Sequence, residues 1–63
     1  KLYVNQFSLD KLRVHPYMNF YKAKAILEYR RKRGAIKNIA QLSMFEEFTE
    51  SDLNKLAPYL SFE

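Results

Sequence analysis

One histidine, His15, and four carboxylates crowded into residues 46–52 (Glu46, Glu47, Glu50 and Asp52) are the side chains with which this chain could perform acid–base or metal chemistry. Neither set has the company such chemistry needs. A catalytic or metal-bound histidine works with cysteine, further histidines or convergent carboxylates. His15 has none of these beside it and reads as a turn residue packing next to Pro16. The carboxylate spacing fits no calcium loop, and no glycine supplies the sharp turn of one. With no nucleophile and base constellation in view, the chain reads as a non-enzyme that needs no cofactor or metal.

The other charged side chains point to recognition. Residues 1–45 hold ten Lys and Arg against Asp10 and Glu28, a balance of +8, while residues 46–63 hold Lys55 against five carboxylates, a balance of −4. A cationic half of this kind attracts polyanions, of which nucleic acid is the commonest. The alternative is a surface charged only for solubility.

Length and composition bound what can position these groups. A chain of 63 residues forms one domain at most and buries roughly 60% of its unfolded surface, too little to wall a deep enzymatic cleft. There is no cysteine, so ordinary packing must hold the fold. Hydrophobic residues at 48% and aromatics at 16% suit a folded domain. No apolar run exceeds three residues, as in Ala25-Ile26-Leu27, which gives neither a membrane span nor a signal-peptide core. The expectation is a water-soluble module making no membrane contact, and its start at Lys1 suggests a segment of a longer protein.

Four helical stretches are predicted. Ser8 caps a short helix over Leu9–Val14, and Pro16 disfavours helix at His15. The second runs from Phe20 to Arg33, with Ala23, Ile26 and Leu27 on one face and Gly34 where a left-handed cap is needed. Asn38 caps a third through Ile39 and Leu42, and Thr49 caps a fourth carrying Leu53 and Leu56 before Pro58 interrupts it. No segment alternates as a strand would.

An offset of thirty residues turns these pieces into a repeat. Ser8 falls on Asn38, Leu12 on Leu42, His15 on Phe45, Met18 on Phe48, Asn19 on Thr49, Ile26 on Leu56 and Tyr29 on Tyr59. Each unit, about residues 5–34 and 35–63, is helix, tight turn, helix. Neither has enough apolar face to stand alone, so the two should share one core with approximate twofold symmetry.

Here the residues resemble a known family. Asn5 seven positions before Leu12, Pro16 after it, the run "AILEYRRKRGAIKNIAQL" and the ending "LAPYLSF" are similar to a tandem helix-hairpin-helix domain such as the DNA-binding domain of the competence protein ComEA. The resemblance covers nearly the whole chain. It implies an all-α, four-helix fold and double-stranded DNA bound without sequence preference. It also implies that Arg30 packs its stem and bonds locally through its head.

The hairpins depart from that pattern. Family turns read Gly, apolar, Gly, so that backbone amides can approach a phosphate. The turns here are Tyr17-Met18-Asn19 and Glu47-Phe48-Thr49. Met18 and Phe48 keep the apolar centre. Asn19 can replace a glycine by capping the next helix, and Tyr17 can donate a hydrogen bond, so the first turn is weakened rather than lost. Glu46, Glu47, Glu50 and Asp52 would repel a phosphate from the second.

Lys22 lies in the first turn of its helix, where the helix dipole disfavours a cation and a bound phosphate would supply the missing negative charge. Lys24 and Arg31 share one outward face. The run Arg30-Arg31-Lys32-Arg33 has a structural explanation in the helix C-terminus and in an i, i+4 pairing of Glu28 with Lys32. The expected DNA contacts are therefore Tyr17, Asn19, Lys22, Lys24 and Arg31. A second reading stays open: with the glycines gone, DNA binding has been abandoned, and Tyr17, Phe20 and Tyr21 form an aromatic patch for a protein partner.

Overall fold

Four side-chain caps set out the helices of the computed structural model, in which all of residues 1–63 are described. Ser8 accepts the Lys11 N–H and starts α1 (Leu9–Arg13). Asn19 accepts the Lys22 N–H at 2.9 Å and starts α2 (Phe20–Arg33). Asn38 starts α3 (Ile39–Leu42) through the Gln41 N–H, and Thr49 starts α4 (Glu50–Leu56) through the Asp52 N–H. Each satisfies one of the amides that a first helical turn leaves without an internal acceptor. These are the four helices expected, with Val14 as the C-cap of α1 rather than its last residue. α4 ends at Leu56, ahead of Pro58 as expected, and Pro58 sits inside a 3-10 turn, Ala57–Tyr59.

Gly34 departs from its expected left-handed cap. Its φ is +90° but its ψ is −154°, a combination of positive φ and extended ψ reserved almost wholly for glycine. The chain then leaves α2 through an irregular segment in which Ile36 is buried.

The expectation of no strand is corrected by a small one. Leu2–Tyr3 (β1) and Leu60–Ser61 (β2) pair in parallel, Leu2 opposite Leu60 and Tyr3 opposite Ser61. Strands of two residues are too short to show alternation, and their partners come from opposite ends of the sequence. Asn5 secures the same junction. Its Nδ2 donates to the carbonyls of Ile36 at 2.8 Å and Phe62 at 2.9 Å, and its Oδ1 accepts the Ile36 N–H at 2.7 Å.

Apart from that bridge the architecture is helical, around a single core. Leu12 of α1, Ala23 and Ile26 of α2, Leu42 of α3, and Leu53 and Leu56 of α4 are buried together with Met18 and Phe48 from the two turns. Burying such side chains stabilises the fold by roughly 1.5–3 kcal/mol each. Arg30 ties α2 to the segment that precedes α1. Its guanidinium donates to the Phe7 carbonyl at 2.6 Å, a contact distant in sequence rather than the local one expected. No helix is long and apolar enough to cross a membrane.

Candidate functional site

The two turns use the same backbone hydrogen bonds. In the first, His15 N–H donates to the Leu12 carbonyl and Met18 N–H to that of His15; in the second, Phe45 N–H donates to Leu42 and Phe48 N–H to Phe45. The central side chains, Met18 and Phe48, go inward because the core needs them there.

The N-termini that follow are unlike. At α4, Asp52 accepts the Thr49 N–H while Thr49 Oγ1 accepts the Asp52 N–H, so the box is closed on both sides. At α2 the third position is Lys22, which cannot accept a bond. The N–H of Asn19 therefore has no acceptor within the protein, and those of Phe20 and Tyr21 are open as their counterparts Glu50 and Ser51 are at α4. The Tyr17 N–H, which faces the same turn, is taken at 3.2 Å by Nδ1 of His15.

Lys22 is not the unpartnered cation that its position in the sequence suggests. Its ammonium lies 3.4 Å from Asp52 Oδ2, and its side chain is only 13% exposed. The negative charge at this point is the protein's own. Hydrogen bonds from Thr49 first, and then the Lys22 ammonium, hold the Asp52 carboxyl below the ordinary value of 3.8.

Lys24 and Arg31 stand apart from this pair. They line one shallow groove on the outer side of α2, with Leu27 and Glu28 between them, and neither has a carboxylate within ion-pairing distance. The expected Glu28–Lys32 pair is absent too, leaving Lys32 and Arg33 without carboxylate partners. The five proposed contacts thus fall into three groups. Asn19 and Lys22 are joined by the cap, Lys24 and Arg31 by the groove, and Tyr17 turns away toward His15 and Tyr59, whose rings lie 5.8 and 6.2 Å from its own.

Sequence reasoning missed the bond from Lys22 to Asp52, although the offset that aligns these two positions was a signal that they could meet. It also missed Lys55, whose Nζ lies 5.9 Å from the Tyr17 ring centre. No local pattern joins those two residues.

A family model, the helix-hairpin-helix motif, matches residues 1–61, and the chain belongs to that family. The motif is typically one that binds nucleic acid. No curated protein and no solved structure gives a significant match.

Proposed function

We propose that residues 1–63 form a single tandem helix-hairpin-helix domain, a divergent relative of the DNA-binding domain of ComEA, which binds double-stranded DNA without sequence preference and performs no chemistry. The pseudo-twofold repeat is supported by turns with matching hydrogen bonds and by ring pairs at the same offset, Tyr29 on Phe45 at 5.4 Å and Tyr59 on His15 at 5.0 Å.

The observation that carries the DNA reading is the groove of α2, where Lys24 and Arg31 flank the lone carboxylate of Glu28 and neither is ion-paired. Along such a face they neutralise successive backbone phosphates. The open amides of Asn19, Phe20 and Tyr21 at the helix start add donors of the kind that hold a phosphate oxygen. Tyr17 adds its exposed phenol, and Lys22 contributes where a phosphate shares it with Asp52. Glu46, Glu47 and Glu50 keep the second turn from acting in the same way.

Fluorescence anisotropy of a labelled duplex of about 20 base pairs, titrated across a salt series, tests this. Each phosphate contact contributes about −0.9 to the slope of log K against log salt. Binding with a slope of several units, lost in the Lys24→Glu/Arg31→Glu variant while circular dichroism stays unchanged, is the expected result. No binding at low salt overturns it and leaves a protein-interaction module, for which exposed Phe20 and Tyr21 are the surface.

A further inference from the structure

Six large hydrophobic residues remain exposed, and four of them are aromatic: Tyr17, Phe20, Tyr21 and Tyr59. Tyr17 and Tyr59 come from separate elements, the first turn and the 3-10 turn after α4, yet converge in a triangle with His15. The three ring centres lie 5.0 to 6.2 Å apart. Simple packing would hide such rings, but Tyr17 is 42% and Tyr59 44% exposed. Their hydroxyls have no protein partner, whereas Tyr29, in the corresponding contact with Phe45, accepts a hydrogen bond from Gln41 at 2.7 Å.

The charge beside these rings is equally specific. Lys55 is the one cation of a segment with five carboxylates, and it pairs with none of them. Instead its ammonium sits over the Tyr17 ring. Half-exposed aromatic rings, one of them with an ammonium over it that no carboxylate neutralises, match a planar, uncharged ring linked to an anion. An unpaired nucleotide has that composition, its base stacking on an aromatic face and its phosphate meeting the cation.

We propose that Tyr17, Tyr59 and Lys55 form a stacking site for an unpaired base, so that the domain prefers duplex DNA carrying a single-stranded extension over blunt duplex. The site rests on the DNA-binding reading. Duplex phosphates follow Lys24 and Arg31 along α2, and the strand that leaves the duplex passes over the turn before that helix.

The test compares the affinity of the chain for a blunt 20-base-pair duplex and for the same duplex with a five-nucleotide overhang, at one salt concentration. The overhang should tighten binding about tenfold. Tyr59→Leu, which keeps an apolar side chain but removes the π-face, should abolish the gain without changing affinity for the blunt duplex, and Tyr59→Phe should retain it. The chain has no tryptophan, so quenching of tyrosine emission by the overhang alone gives a direct signature. Should Tyr59→Leu fail to fold, Lys55→Gln serves in its place, with a partial loss of the overhang gain expected. Equal affinity for the two DNAs overturns the stacking site and leaves duplex binding standing. So does an overhang gain unaffected by either variant. Binding to neither DNA overturns both readings.

Discussion

Lys22 and Asp52 face each other across the start of two helices, with 3.4 Å between the ammonium and Oδ2. Asp52 at the same time closes the capping box of α4. One carboxylate thus answers two needs: it satisfies the orphan amide of Thr49, and it offsets the cation that the dipole of α2 disfavours.

Asp52→Asn separates those roles, because its amide oxygen can still accept the Thr49 N–H while the charge is gone. Urea unfolding should register a loss below about 1 kcal/mol, as expected for a partly exposed pair. On the DNA-binding reading, freed Lys22 should tighten duplex binding and steepen the salt slope by about 0.9. Asp52→Ala loses the box as well and should cost about 1 kcal/mol more. An Asn variant with an unchanged salt slope would show that Lys22 does not reach the DNA.

The same carboxylate sets an acid limit on stability. Its pKa is lowered from 3.8 in the folded state. Its contribution is therefore complete above the unfolded value and is lost as pH falls through the folded one. Melting temperature followed downward from pH 4 should decline in the native chain and decline less in Asp52→Asn. Parallel curves for the two proteins would remove Asp52 as a source of the acid dependence.

Asn5 makes three hydrogen bonds that tie the linker at Ile36 and the C-terminal strand to the N-terminus. At about 1 kcal/mol net for each bond, Asn5→Ala should cost about 2–3 kcal/mol, a large share of the stability of so small a domain. Asn5→Asp should be no better at neutral pH, since it turns a negative oxygen toward the Ile36 and Phe62 carbonyls. Chemical denaturation of both variants decides the matter; a mild effect of Asp would mean that the two donor bonds contribute little.

Gly34→Ala isolates a backbone cost. A Cβ at this position would meet no atom within 4 Å, so packing offers no objection. The φ of +90° with ψ of −154° remains forbidding, and the substitution should lose about 1–3 kcal/mol. Denaturant midpoints compared at equal m-value would measure it, and a neutral result would mean that the linker relaxes into another path.

The helices were legible because their signals are local. Ser8, Asn19, Asn38 and Thr49 each bond an amide three residues on, and Ala23 and Ile26 share a face through the pitch of one helix. The small β bridge was not legible, since Leu2 meets Leu60 only after everything between them has folded. Of the candidate site, the cationic face of Lys24 and Arg31 could be read from helical spacing. The partner of Lys22 was signalled only by the thirty-residue offset, and the placing of Lys55 over Tyr17 by nothing local.

The sequence by itself determined where helices start, which helical and turn residues face the core, and that the charge divides into a basic and an acidic part; Leu2, Val4 and Ile36 joined the core only through the fold. The first two follow from periodicity and capping within a few residues, and the third from composition along the chain. Only the tertiary structure decided which charges remain open. Asp52 takes Lys22, and Lys55 goes to a ring instead of a carboxylate. Hydrogen bonds and ion pairs act over a few ångströms, and it is the packing of α2 against the elements after Gly34 that brings residues distant in the chain within that range.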